Sequence, residues 1–220
     1  MKLSIPSPGV PCWCNSRQQQ ATAEAVKRTP APKVLHLATH AFYLPNQPEQ
    51  QPASGAGPLD QRSSSGARTS NLKGESPLLR SGIALAGANQ PNADPNDDGY
   101  LTALEVSQLN WEGTDLVVIS ACESGLGDLQ VGGGVYGLKR AIAVAGAQSS
   151  LLSLWKVDDY ATKAFMESFY KHLKAGKGKA EALAETQREF RESPVMPAYS
   201  HHYYWAAFQL SGDWGPVQGL

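Results

Sequence analysis

The feature that most constrains this chain is an apolar, β-branched run at residues 114–125, which stops on a cysteine and opens into a glycine-rich loop. Its centre, residues 116–119, is apolar at every position, which is typical of a strand buried on both faces of a parallel sheet. In open α/β sheets, ligands bind beyond the carboxyl ends of the strands. Cys122 would stand there on rigid backbone, close to loop amides that favour its thiolate form. Cys122 is therefore a candidate nucleophile, with a buried core cysteine as the other interpretation.

A second predicted strand carries a histidine in a matching position. Residues 33–40 are mostly apolar and end on His40, directly before the loop that begins at Ala41. Neighbouring strands lie about 5 Å apart, so His40 and Cys122 would come within reach of each other as a base and a nucleophile. His36 lies about 13 Å further back along the same strand. We therefore expect His36 to be a hydrogen-bonded histidine of the core.

Predicted strands and helices alternate along the chain, which indicates an α/β fold with a mostly parallel sheet and helices on both faces. Length and composition fit one domain over residues 21–216, preceded by a proline-rich segment, residues 1–20, that is disordered or a remnant of upstream sequence. Residues 46–76 are expected to form a long flexible loop over the active edge. The patterns predict helices at 21–28, 101–109, 135–145 and 179–191, another between Asp158 and Gly176, and extended segments at 78–85, 148–155 and 205–210.

Charge and cysteine content indicate which kinds of partner and which cellular compartment are expected for this protein. The formal net charge is -1, which gives no global electrostatic attraction for nucleic acid. No apolar run approaches the roughly 20 residues that span a bilayer, and the first residues lack the apolar core of a signal peptide. The 3 cysteines argue against a disulfide framework and for a reducing compartment. We expect a cytoplasmic protein without a direct nucleic-acid or membrane partner.

Six short segments match the landmark motifs of one known family, in the same order and across most of the chain. They are residues 36–40, 98–102, 118–127, 134–138, 153–159 and 203–208. On these segments the chain resembles the CHAT-domain family of caspase-like cysteine peptidases of clan CD, which is related to separase and the metacaspases. One such segment would be weak evidence, whereas six in order are strong.

The resemblance implies a caspase-like three-layer α/β/α sandwich with a mostly parallel central sheet, and a His–Cys dyad at His40 and Cys122. It implies a thiol protease, a cysteine endopeptidase that hydrolyses peptide bonds in a protein or peptide substrate. The backbone N–H groups of Ala41 and Cys122 would form its oxyanion hole. Activation would depend on a sensor region or partner, for example the tetratricopeptide repeats that family members often carry before the histidine strand.

Two other functions remain open. The family usually has glycine directly after its histidine, whereas this chain has Ala41, whose side chain would strain a loop that needs a positive φ. A catalytically inactive caspase-like interaction module is therefore the alternative to a peptidase. An α/β-hydrolase with a cysteine nucleophile ranks last, because that fold places its histidine after the nucleophile, and His40 precedes Cys122.

Asp158 and Asp159 have two interpretations. Residues 155–159 are similar to a separase segment with an acidic pocket residue, which implies that these carboxylates border the substrate pocket. A carboxylate at the start of a helix also accepts hydrogen bonds from the first N–H groups, and this stabilises the helix by about 1 kcal/mol. We favour the helix cap and keep the substrate pocket as an alternative.

An acidic loop matches the calcium-binding spacing of an EF-hand. Its ligand oxygens and its central glycine belong to Asp94, Asn96, Asp98, Gly99, Thr102 and Glu105. Pro91 interrupts the helix that should enter such a loop, so a turn followed by a helix cap is the favoured interpretation. No cofactor is required for the expected chemistry, and calcium is the metal that this pattern leaves open.

Overall fold

The structure, a computed structural model, describes residues 2–3, 21–43, 77–88, 98–120, 122–123, 133–192 and 197–220, so the loop predicted at 46–76 lies outside the described residues. The strands are β1 (Lys2–Leu3), β2 (Val34–Ala38), β3 (His40–Tyr43), β4 (Ser81–Ala84), β5 (Tyr100–Thr102), β6 (Leu116–Ile119), β7 (Cys122–Glu123), β8 (Ser149–Ser153) and β9 (Phe208–Gly212). The helices are α1 (Ala23–Arg28), α2 (Pro77–Arg80), α3 (Ala103–Ser107), α4 (Gly133–Val144), α5 (Asp159–Lys174), α6 (Lys179–Glu192) and α7 (His202–Trp205). Within this part of the chain, no helix has both the length and the apolar character needed to cross a membrane.

The larger of two sheets has the strand order β1-β2-β6-β8-β9. Its three central strands are mutually parallel, and the antiparallel strands β1 and β9 flank them. The first of these flanking strands, Lys2–Leu3, comes from the segment expected to be disordered and pairs with the end of β2. The mostly parallel central sheet expected of a caspase-like α/β fold is confirmed.

Alternate residues of the central strands supply two separate cores, one on each face of the larger sheet. Leu37 and Ile119 pack with residues of α1, α3 and α4. Val34 and Val118 pack with residues of α5 and α6 on the opposite face. Helices therefore cover both faces, as the predicted three-layer sandwich requires.

Beyond β2 and β6 the chain enters a smaller sheet with the strand order β5-β4-β3-β7. The single strand predicted over residues 33–40 is wrong, because β2 ends at Ala38 and His40 begins β3. Between them, the Thr39 hydroxyl donates a hydrogen bond to the carbonyl of Ala84, and β3 then pairs antiparallel with β4. The break has a tertiary cause, since β4 offers a new partner strand that the local sequence does not reveal.

Three further predicted boundaries differ from the structure. Residues 78–84 lie in helix α2 and strand β4 rather than in one extended segment, and Leu85 follows the end of β4. The helix predicted over residues 101–109 begins at Ala103, because the residues before it pair with β4 as strand β5. The strand predicted over residues 205–210 begins at Phe208, where pairing with β8 begins. Pairing with distant segments decides each of these strand boundaries.

Close approach of β3 and β4 depends on Gly82. A Cβ at this position would lie 2.5 Å from the Leu101 carbonyl oxygen and 2.7 Å from the Phe42 ring. Phe42 is the register partner of Gly82 and lies two residues beyond His40. The missing side chain therefore lets the strand that carries His40 pack tightly in the smaller sheet.

Candidate active site

His40 and Cys122 are direct register partners on neighbouring parallel strands. β3 pairs with β7, and this pairing matches His40 with Cys122 and Ala41 with Glu123. Register partners in adjacent strands lie about 5 Å apart, a spacing over which a base can serve a neighbouring nucleophile. The two residues predicted as a dyad are thus side by side in the backbone, and their chemical roles stay a prediction.

This pairing continues the register of the larger sheet. Leu37 pairs with Ile119 near the ends of β2 and β6. Three residues later in each segment, His40 on β3 pairs with Cys122 on β7. Both residues therefore lie just past the carboxyl ends of two parallel strands, where α/β folds place their ligands. His40 is exposed at this edge, so a ligand can reach its ring.

His36 is a buried, hydrogen-bonded histidine, as predicted. Its Nε2 lies 2.8 Å from Ser120 Oγ, and its ring centroid lies 5.7 Å from that of Tyr170. Burial lowers the pKa of His36 to about 4, so the imidazole is neutral at physiological pH. No role for Ser120 follows from the sequence, because its partner is 84 residues away. The available signal was its position, two residues before Cys122.

Ala41, predicted to donate an N–H to the oxyanion hole, lies inside β3. Its register partners are Ile83 on one side and Glu123 on the other. The backbone of a strand is extended, so Ala41 is not in the positive-φ conformation that would favour glycine. Because β3 has a neighbour on both flanks, the Ala41 N–H is directed at an adjacent strand rather than at an open loop.

Asp158 caps helix α5, as the favoured interpretation predicts. Its Oδ1 accepts hydrogen bonds from the N–H groups of Tyr160 and Ala161, both at 3.0 Å. Asp159 is the first residue of α5, and both aspartates are exposed. Because α5 follows β8, the parallel neighbour of β6, these carboxylates lie past the same sheet edge as the candidate dyad. Their role in a substrate pocket stays a prediction.

The interpretation of residues 98–105 as a turn and a helix cap is confirmed by their hydrogen bonds. The Tyr100 N–H donates to Asp98 Oδ1 at 3.0 Å. The Glu105 N–H donates to the Thr102 hydroxyl at 3.2 Å, and the Thr102 N–H donates to Glu105 Oε2 at 2.9 Å. This reciprocal pair is a capping box that begins helix α3.

Both carboxylate oxygens of Glu105 are engaged, since Oε1 lies 2.9 Å from Lys27 Nζ. Burial acts to raise the pKa of Glu105, but the hydrogen bonds from Thr102 and Lys27 and the charge of Lys27 outweigh it, so the pKa lies below its usual value. Asp94 and Asn96 lie outside the described residues. Within the described segments, no group of three or more His, Cys, Asp or Glu side chains could hold a metal. Calcium binding stays a prediction that requires Glu105 to release a present partner.

Comparison with known proteins finds a match to one family model and sequence similarity to much longer proteins. The family model described as the CHAT domain matches residues 15–213. Tetratricopeptide repeat protein 28 of Homo sapiens is 30% identical over 179 residues, which cover 81% of this chain and 7% of that protein. Tetratricopeptide repeat protein 28 of Mus musculus is 35% identical over 113 residues, which cover 51% of this chain and 4% of that protein. The chain thus spans a small part of the length of these relatives.

Proposed function

The chain belongs to the CHAT domain family, and on that premise we propose that it is a cysteine endopeptidase domain with Cys122 as nucleophile and His40 as base. The observation that carries the proposal is the parallel register of β3 and β7, which pairs these two residues. Both follow buried parallel strands of the larger sheet, a rigid support for catalytic groups. His40 is exposed and therefore accessible to a substrate.

The proposed reaction is acyl transfer through a thioester. His40 accepts the proton of the Cys122 thiol, and the thiolate attacks the carbonyl carbon of a peptide bond. His40 then gives that proton to the leaving amine as the C–N bond breaks. In the second step His40 deprotonates a water molecule, which attacks the thioester, and the C–S bond breaks to release the carboxylic acid. His40 then returns the proton to the departing thiolate, which restores the Cys122 thiol. The N–H groups of Cys122 and Ala41 would stabilise the negative oxygen of each tetrahedral intermediate.

We propose that activity is gated by a region outside this chain. The matched relatives are named tetratricopeptide repeat proteins and are far longer than the chain. The position of Ala41 supports gating, because its N–H is directed at a neighbouring strand, and an oxyanion hole needs that N–H to face the substrate. A sensor or repeat region that moves β3 relative to β7 would release it. The cytoplasmic location remains a proposal based on the cysteine content.

The test is labelling with a thiol-reactive peptidyl probe, together with cleavage of a peptide library, with and without calcium. We expect the parent protein to be labelled, Cys122→Ala to lose labelling, and His40→Ala to be labelled much more slowly. The matched control replaces the other two cysteines, Cys12→Ser and Cys14→Ser, and should keep labelling at the parent level. Labelling that persists in Cys122→Ala would contradict the proposal.

The alternative function is an inactive caspase-like interaction module, and the enclosed position of Ala41 is the observation that favours it. An inactive module would show no dependence of probe labelling on His40, whereas a peptidase that awaits its activator would still show that dependence. The variant Ala41→Gly separates the two functions, because glycine weakens a strand at this position and so favours release of the N–H from the neighbouring strand. A peptidase should gain activity from this substitution, whereas an interaction module should show none before or after it.

A further inference from the structure

The two strands that lead to the candidate dyad are joined by a polar side-chain bond just before it. His36 lies on β2 and Ser120 directly follows β6, with 2.8 Å between Nε2 and Oγ. The register partner of His36 is Val118, so the bond reaches two residues ahead along the partner strand. His40 begins β3 four residues after His36, and Cys122 begins β7 two residues after Ser120.

The bond is buried on its histidine side, whereas Ser120 is half-buried. His36 is 8% exposed, and the Tyr170 ring packs against its imidazole. The buried hydroxyl of Tyr170 has no hydrogen-bond partner within the described part of the chain. In that same part, Ser120 is the residue that forms a hydrogen bond with the His36 ring. A buried polar group left without its partner is unfavourable by about 1–3 kcal/mol, so His36 holds Ser120 firmly.

We infer that His36 is a positioning residue, which acts through Ser120 to hold the backbone of β3 and β7 in the register that pairs His40 with Cys122. This inference rests on the proposed dyad. Backbone pairing sets the register of β2 and β6 as far as Leu37 and Ile119, and the bond from His36 adds a directional contact at Ser120, one residue beyond that pairing. A hydrogen bond requires a narrow range of distance and angle, and it therefore fixes how far one strand end is advanced relative to the other.

Catalysis requires this accurate placement of one strand end relative to the other. Catalytic groups must be held within about 0.5 Å of their productive geometry, and an error of about 1 Å lowers a rate by about 100-fold. Stability alone does not require the polar pair, since apolar residues of similar volume would fill the same space. The described contacts of His36 do not include His40, so its effect on the dyad passes through the backbone.

The experiment measures the alkylation rate of Cys122 by iodoacetamide in the full chain that carries Cys12→Ser and Cys14→Ser. The ratio of the rates with His40 and with His40→Ala reports how strongly His40 activates the thiol. We expect Ser120→Ala to lower this ratio by about tenfold, the effect of a displacement below 1 Å. His36→Leu should lower the rate ratio by the same factor. His36→Gln should keep the ratio at the parent level, because the glutamine amide nitrogen stands the same number of bonds from the backbone as Nε2 of His36.

The matched control is Ser149→Ala on β8. Ser149 is 2% exposed and its hydroxyl donates to the Asp115 carbonyl, at the amino end of the same sheet. Ser149→Ala and Ser120→Ala should both lower the melting temperature, but Ser149→Ala should leave the rate ratio unchanged. A rate ratio that survives Ser120→Ala in folded protein would overturn the positioning role and leave the dyad intact. A ratio of one before any change at Ser120 would instead overturn the proposed dyad, and the inference with it.

Discussion

Replacing His36 with glutamine should make the stability of this protein less sensitive to acid. Burial lowers the pKa of His36 from 6.5 to about 4 in the folded protein. In the unfolded chain the imidazole regains its ordinary pKa. Between these two values the unfolded state binds more protons than the folded state, so the free energy of unfolding falls as the pH falls. The contribution of the neutral ring is complete above pH 6.5 and is lost as the pH approaches 4.

The size of the effect follows from the difference between the two pKa values. One unit of pKa difference corresponds to about 1.36 kcal/mol, so His36 accounts for a loss of about 3 kcal/mol between neutral pH and pH 4. Folded domains are stable by roughly 5–15 kcal/mol in total. One buried histidine therefore removes a large fraction of the stability in this range, and the change is well above the error of a denaturation measurement.

Urea unfolding of the full chain at several pH values between about 7.5 and about 4.5 measures the effect. The quantity to compare is the difference in free energy of unfolding between the parent and His36→Gln at each pH. Carboxylates such as Asp213, whose pKa is lowered chiefly by the hydrogen bond from Lys179, contribute equally to both proteins and cancel. Tyr170→Phe is the control, because burial moves the pKa of Tyr170 upward and away from this range.

Between about pH 7.5 and about pH 4.5 the parent should lose about 2.5 kcal/mol more than His36→Gln, and Tyr170→Phe should follow the parent. The lost ring contact with Tyr170 lowers the stability of His36→Gln by the same amount at every pH, so it does not imitate the expected slope. A difference between parent and His36→Gln that stays constant over the whole range would refute the argument that burial keeps this histidine neutral.

Three further predictions test the site and its supports. His40→Cys should form a disulfide with Cys122 under mild oxidation, because register partners lie about 5 Å apart; peptide mapping detects it, and His36→Cys, further back on β2, should form none. Glu105→Ala should lower the free energy of unfolding by about 1 kcal/mol and Glu105→Gln by less, since glutamine keeps the capping box; equal losses in urea unfolding would contradict this. Gly82→Ala should lower the free energy of unfolding by about 2 kcal/mol through overpacking. An unchanged urea midpoint would show that the sheet accommodates the added methyl group without loss of stability.

Local patterns predicted those parts of the molecule whose partners are close in sequence. The capping box joins Thr102 and Glu105, three residues apart, and the Asp158 cap likewise contacts the next residues along the chain. Such hydrogen bonds depend on residue type and spacing, which the sequence displays directly. The buried strands around Leu37 and Ile119 were also recognisable, because a continuous apolar run between turn residues is the pattern of a central strand.

The parts that could not be predicted depend on segments that are distant in sequence. The strand that carries His36 was expected to continue to His40, because Thr39 suits a strand as well as its neighbours do. It ends at Ala38 because Ala84 and its strand offer new partners. The bond between His36 and Ser120 spans 84 residues, so the sequence predicted a hydrogen-bonded core histidine at His36 without indicating its partner.

The correction at residue 39 strengthens the case that His40 and Cys122 act together. If β2 and β6 had ended without pairing again, the spacing between His40 and Cys122 would have depended on loop residues, which are variable in conformation. Instead, the segments that follow β2 and β6 both leave the larger sheet and pair again in the smaller one after the same number of residues. The register that matches Leu37 with Ile119 therefore also matches His40 with Cys122. A slip of one residue on either strand would move the two positions to opposite faces. The spacing of the candidate dyad is therefore set by backbone pairing in two sheets, with the bond between His36 and Ser120 at their junction.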